Sequence, residues 1–549
     1  MRLFLLPLLV VLSAPALAQK TKKEDAELAA NLRRHVVFLT SNELEGRRTG
    51  TEGERLASEY LMLQFGKAGL QQKGSDGFLQ AFPVADGLKV EGTQLRVDGK
   101  DLQLNTEYFP LAWSGNAQVQ GNPAIALQEH DTPWFKDIKD LLEENAQNPH
   151  FDLQDALQTL AATVKKRGAT ALLLYNSSGI DDKLAFEPKD RRPRVDIPVL
   201  YIRKEAFAKY LPNESGSHAI TLVTQVRAQT REGHNVVGYL DNGAAHTIVI
   251  GAHFDHLGHG EDGNSRFTGD SALVHHGADD NASGTAALIE LARLLKASKY
   301  KGNNYLFIGF SGEELGLYGS KYFVDHPTVD LSKVNYMINL DMVGRLNDST
   351  HALTVGGYGT SPTWGELYGI TGKKALYGGN LTYRFDSSGT GPSDHTSFYR
   401  KDIPVLFYFT GLHSDYHKPG DVADKINYAG EVQVLRHILS IIQKTDASGK
   451  IGFSKTREVS MSNTRFSVTM GIMPDYTYPG AGLRIDGLSN DRPAQKAGLL
   501  AGDVITALGP HKVTSVETYM AALGQFKKGD STEVTYQRNG QEAKTTVQF

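Results

Sequence analysis

Cysteine is absent from all 549 residues. Disulfides and thiolate ligands are thereby excluded, so any bound metal has to be held by imidazole and carboxylate. Net charge is also scarce: 58 Lys and Arg against 62 Asp and Glu leave a formal charge of -4. With no basic runs either, an electrostatic nucleic-acid binder is excluded, while neutral amide-, peptide- or sugar-type substrates suit the balance. Long apolar runs are lacking beyond the N-terminus. There Arg2 precedes an apolar stretch at residues 3–12 and then Ala16-Leu17-Ala18. This is the layout of a secretory leader over residues 1–18, too short to span a bilayer comfortably. The mature chain is expected to be exported, with no transmembrane segment. An oxidising compartment without disulfides inclines the reading towards a periplasmic or secreted bacterial protein.

The length exceeds what one core supports, so two to four domains are expected. Apolar spacing predicts helices at 24–39 and 54–65, with a polar glycine-bearing loop at 44–50 between them. Residues 88–226 change character, with short alternating runs, a helix at 151–166 and strands at 171–175 and 197–202, which reads as a mainly-β inserted domain. From 235 onward strands and helices alternate: strands at 235–240, 247–250, 304–310, 334–340 and 404–409, helices at 285–296, 320–326 and 428–445. That alternation predicts an α/β core, a mixed sheet with helices on both faces. The core is expected to comprise 19–87 and 227–447. Short strands and glycine turns from 455 to 549 predict a small separate domain.

Polar clusters sit at the edges of the apolar runs. They are Gly251-Ala252-His253-Phe254-Asp255, Gly277-Ala278-Asp279-Asp280-Asn281-Ala282-Ser283-Gly284, Ser311-Gly312-Glu313-Glu314, Asn339-Leu340-Asp341-Met342 and Tyr416-His417-Lys418-Pro419-Gly420-Asp421. A hydrolase using two metal ions needs terminal ligands on each ion, one bridging carboxylate and a base for the water. His253 and His417 are the imidazole donors on offer, Asp280, Glu314 and Asp341 the carboxylates, and Glu313 remains as the base. Asp255, two residues beyond His253, would point the same way on a strand end and fix the imidazole tautomer. Asp279-Asp280-Asn281 is also a turn signature, placed just before a helix. Adjacent acids such as Glu313 and Glu314 at a buried strand end are costly unless cations neutralise them. Asp394, His395, Arg384 and Asp421 are expected around this set, and Tyr358, Phe385, Phe398 and Tyr399 are candidates to line an apolar pocket.

Together these motifs resemble the co-catalytic di-zinc aminopeptidase family that also includes the glutamate carboxypeptidases and the transferrin receptor. The resemblance spans about residues 22–445 and implies a phosphorylase/hydrolase-like zinc peptidase core. It places His253 and Asp341 on one zinc, Glu314 and His417 on its partner, Asp280 as the bridge, Glu313 as general base and Tyr416 beside the oxyanion. It implies two Zn2+ per chain and a peptide substrate with a free N-terminus. No expected ligand is missing, which speaks against an inactive relative. A carboxypeptidase or dipeptidase on the same scaffold, and a non-catalytic peptide-binding protein, are the alternatives. The insert at 88–226 resembles a protease-associated domain. The final segment resembles a PDZ domain, with Gly471-Ile472-Met473-Pro474 at its carboxylate-binding loop, there to bind peptide or to pack on the catalytic domain.

Overall fold

A computed structural model describes residues 13–146, 148, 151–190, 192–213, 216–269, 271–369, 380–456, 468–474, 481–488, 492–514 and 516–549. The apolar run of the expected leader, residues 3–12, lies outside them. Among the described residues no helix is long and apolar enough to cross a membrane. Two compact units emerge, one built from the chain up to Val84 and most of it from Glu232 onward, the other from Ala85–Arg231 with 526–530 and Phe549.

The first unit is organised by one nine-stranded sheet. Its strands are β1 (Gln71–Gln72), β2 (Leu79–Val90), β3 (Val226–Leu240), β4 (Thr247–His253), β5 (Asn304–Phe310), β6 (Val334–Leu340), β7 (Ala352–Gly356), β8 (Thr382–Phe385) and β9 (Val405–Phe409). Their spatial order is β1-β3-β5-β4-β6-β9-β7-β8, with β2 on β3. Strands β5, β4, β6 and β9 run parallel to their neighbours in that series. Every residue of β4, β5 and β6 is buried. Strands covered on both faces read as continuous apolar runs, which is why TIVIGAH, NYLFIGF and VNYMINL show no polar alternation.

Helices supply the two covers. Leu28, Leu32, Val36 and Leu39 fall at helical spacing on α1 (Ser13–Leu39) and are all buried. They join Leu61 and Phe65 of α2 (Glu52–Lys67), Leu288 and Leu291 of α3 (Gly284–Ala297), and Leu435, Ile438 and Ile442 of a long C-terminal helix, Tyr428–Thr445, in one cluster. Ile248 and Ile250 of β4 point into that cluster. Val249 points into the opposite one, with Phe310, Phe323 and Phe398. Each such buried side chain contributes roughly 1.5–3 kcal/mol relative to exposure, so the sheet's position is set from both faces.

The second unit holds two four-stranded sheets and the helix Leu153–Lys166, whose N-cap Asp152 accepts from the Asp155 N–H. Its strand Ala169–Tyr175 carries the apolar run seen in the sequence. The C-terminal segment folds as antiparallel strands, Ile472–Pro474, Leu483–Leu488, Val504–Leu508, His511–Lys512, Ser531–Arg538 and Gln541–Gln548, with the helix Val516–Leu523. Leu483, Ile485, Ile505, Val534 and Val547 are among its fully buried residues, and Arg538 is bidentate to Asp503.

Candidate metal centre

Parallel strands place their carboxyl ends on one edge of a sheet, where loops leave and ligands bind. His253 ends β4, Asp341 follows β6 directly, and Glu313 and Glu314 follow β5 within four residues. Gly251 pairs with Asn339 across β4 and β6, so two residues further along His253 and Asp341 stand level. His253 Nε2 lies 3.5 Å from Asp341 Oδ1 and 3.4 Å from Asp280 Oδ1. On the other side of Asp280, Oδ2 lies 3.2 Å from His417 Nε2, which is also 3.2 Å from Glu314 Oε2. Asp280 thus turns one oxygen towards each imidazole–carboxylate pair.

These separations test the metal reading. Zinc bonds to imidazole and carboxylate run about 2.0–2.2 Å, so ligand atoms at tetrahedral angles stand about 3.3–3.5 Å apart. The two distances at His253 fall on that edge, and the two at His417, 3.2 Å each, lie just inside it. Asp280 Oδ2 is buried with no hydrogen-bond partner, and an unsatisfied carboxylate oxygen at that depth calls for a cation. Two candidate clusters capable of holding an ion share Asp280: His253 with Asp341, and His256 with Glu314. His256 is a residue that the sequence reading did not single out.

The turn bearing Asp280, residues 278–283, is stitched to the segment after Asp341. Asn281 Oδ1 accepts from the Gly284 and Met342 N–H groups, and its Nδ2 donates to the Leu340 carbonyl. Asp279 Oδ1 accepts from Gly344 N–H, and Ser283 Oγ from Val343 N–H. From the far end of the domain, Asp421 Oδ2 accepts from the N–H groups of both Asp279 and Asp280. Arg47 makes a further brace inside what reads in sequence as a polar loop. Fully buried, it donates to the carbonyls of Leu39, Phe254, His276 and Gly277. Burial lowers its pKa to about 10, offset by Asp255, Asp280, Asp421 and Glu314, so the guanidinium keeps its charge at neutral pH.

Tautomers are set as ligation requires. His417 Nδ1 faces the Asn264 carbonyl at 2.9 Å, leaving Nε2 for Asp280 and Glu314. His253 Nδ1 is 3.2 Å from the backbone carbonyl of Asp255 and 3.6 Å from its carboxylate. The Asp255 carboxylate itself receives Thr49 Oγ1 and the Glu313 N–H. Asp255 therefore reaches His253 chiefly through its main chain, while its side chain seats the residue expected to act as base.

Electrostatics separate the adjacent acids. Burial drives the Glu313 pKa well above its usual range, helped by Glu314, Asp341 and Asp394 and opposed by His253. Burial acts on Glu314 in the same sense, yet His417 and the hydrogen bonds from His256 and His417 outweigh it, and Glu314 falls well below. Burial also pushes the Tyr416 hydroxyl well above its normal pKa, reinforced by Asp280, Glu314 and Glu313, so it stays protonated. Its ring stacks 3.9 Å from His417, with Arg266 5.0 Å above it. Asp394 is fully buried and raised to about 7 by that burial. His395 stacks on Phe407 4.5 Å away.

Not every expected residue lines open space. Phe398 and Tyr399 are in the core, and Tyr358 and Phe385 close an aromatic cluster with Tyr368 and Tyr383. A cavity of about 560 Å³ instead opens past Thr410, lined among others by Arg345, Thr354, Arg384, Phe409 and His413. Thr410 hydrogen-bonds the carbonyl of Met342, one residue beyond Asp341, but none of the candidate ligands, Glu313 or Tyr416 lines this cavity.

Comparison with protein families decides the assignment of the core: the model for peptidase family M28 matches residues 235–442, and that for the PDZ domain matches 451–549. Residues 235–442 belong to peptidase family M28. The M28 core carries all five candidate ligands, and a PDZ-like domain follows it. The chain is 33% identical over 159 residues to leupeptin-inactivating enzyme 1 of Streptomyces exfoliatus, covering 28% of this chain and 34% of that protein. To the aminopeptidase YwaD of Bacillus subtilis it is 27% identical over 287 residues, or 49% and 55% of the two chains. The chain thus spans only a third to about half the length of these relatives. Among solved structures, the zinc aminopeptidase BSAP from Bacillus subtilis superposes with a TM-score of 0.42 at 21% identity, over 77% of this chain and 98% of that one.

Proposed function

We propose that the chain is an exported aminopeptidase that holds two zinc ions and removes N-terminal residues from peptides. The observation that carries this reading is Asp280, whose two oxygens face two imidazole–carboxylate pairs at ligand-edge distances, with Glu313 left unclaimed beside them. His253 and Asp341 would hold one ion, Glu314 and His417 the other, with Asp280 shared. When bound, the ions supply positive charge to the scissile carbonyl and bring the pKa of water towards neutrality. Glu313 takes the proton of the attacking water and delivers it to the leaving amine, a transfer suited to a carboxylate whose basicity burial has raised. Tyr416, kept protonated, donates to the oxygen on which charge develops. The names of relatives such as YwaD support an aminopeptidase over a carboxypeptidase or dipeptidase.

The same reading divides the chain into a leader at 1–18, a catalytic domain at 19–87 and 227–447, a protease-associated-like insert at 88–226 and a PDZ-like domain at 455–549 that engages peptide or packs on the catalytic domain. Side-by-side digestion of peptides with free and blocked N-termini tests the activity. Cleavage confined to free N-termini is the expected result, and cleavage only of blocked peptides would reject the aminopeptidase.

A further inference from the structure

The ligand set leaves one buried imidazole beside it without a task. His256 is 2% exposed, and its Nδ1 lies 2.8 Å from Glu314 Oε1 and 4.0 Å from Asp280 Oδ2. Its Nε2 is buried with no hydrogen-bond partner. By proximity alone, His256, Asp280 and Glu314 could hold an ion. The distances argue otherwise. Each of the four ligand contacts falls at 3.2–3.5 Å, where two atoms share a tetrahedral ion. His256 instead meets Glu314 at hydrogen-bond length and misses Asp280.

We propose that His256 is a positioning residue, resting on the two-ion reading above: it anchors Oε1 of Glu314 so that only Oε2 is presented, beside His417, to the second ion. An ionised carboxylate only accepts, so His256 Nδ1 carries the proton and donates it to Oε1. The carboxylate plane is thereby fixed between two imidazoles, His256 on one oxygen and His417 on the other.

The ring that does this is itself held in place. His256 N–H donates to the Arg47 carbonyl, tying it to the buried arginine brace. Its ring occupies the space that a side chain at Gly277 would fill: a Cβ there would come within 2.5 Å of Cδ2 and 2.6 Å of Cγ. Gly277 also has φ +56°, in the left-handed region. The glycine that opens the Asp280 turn therefore also makes room for the imidazole that orients Glu314. Partners that orient ligands in this way are worth about 10–100-fold in metal affinity.

The test is zinc affinity, measured by chelator competition on the full chain for the wild type, His256→Ala, His256→Asn and His256→Gln, with zinc X-ray absorption on the loaded proteins. Asn places its amide nitrogen near Nδ1 of histidine, Gln near Nε2. His256→Ala is expected to weaken one of two zinc affinities by about 10–100-fold and to leave the other unchanged, with the number of nitrogen ligands at zinc as in the wild type. His256→Asn restores the affinity and His256→Gln does not; this contrast decides the matter even if the alanine variant fails to fold. Unchanged affinities in all variants, equal recovery by Asn and Gln, or loss of a nitrogen ligand in the loaded protein would each overturn the assignment. A wild type that binds no zinc would instead reject the two-ion reading itself.

Discussion

Glu313→Ala is expected to reduce turnover by about 10²–10⁴-fold while the chain keeps its zinc. Glu313 and Glu314 are neighbours in sequence with similar burial, yet their surroundings push them in opposite directions. Glu314 lies against His256 and His417 and is held ionised. Glu313 belongs to neither ion-holding cluster, and its main chain is tied to Asp255. Burial beside Asp341 and Asp394 makes it a better proton acceptor than an exposed glutamate. A carboxylate in that position contributes to proton transfer and little to metal affinity. Parallel measurement of kcat and zinc content checks this. Unchanged turnover would remove Glu313 from the mechanism, and loss of zinc together with activity would make it a ligand.

Asp280→Ala is expected to cost both ions, whereas Asp341→Ala should cost one. Asp280 alone among the candidates faces both imidazoles, Oδ1 towards His253 and Oδ2 towards His417. Removing it takes a ligand from each site and leaves each ion an incomplete set. The effect should not come from a collapsed turn, since Asn281, Asp279 and Ser283 make the hydrogen bonds that fix the loop, and Asp280 contributes only its backbone N–H. Zinc quantification on the two variants distinguishes them. Retained stoichiometry and normal activity in Asp280→Ala would reject the bridge.

Much of this arrangement was legible because the central strands are covered on both faces. Continuous apolar runs such as VNYMINL mark their own ends, and a lone acid after one of them, Asp341, stands out. The turn at 279–281 was likewise visible as Asp and Asn chemistry. The bracing was not. Arg47 reads as one basic residue in a polar loop until the chain brings Phe254, His276 and Gly277 around it. Asp421 is expected near the ligand set, but nothing in the sequence shows that its oxygen collects two N–H groups from more than a hundred residues away. His256 follows a more conspicuous histidine by three positions, and its partner, Glu314, lies on another strand's loop. Sequence periodicity reports which face a residue takes, and these side chains act through tertiary contacts for which no local pattern exists.

Anomalous diffraction at the zinc edge, on crystals of the chain grown with zinc, tests the central claim most directly. Two peaks are expected, one among His253, Asp280 and Asp341 and one among Asp280, Glu314 and His417. A single peak, or none at these residues, would contradict the account.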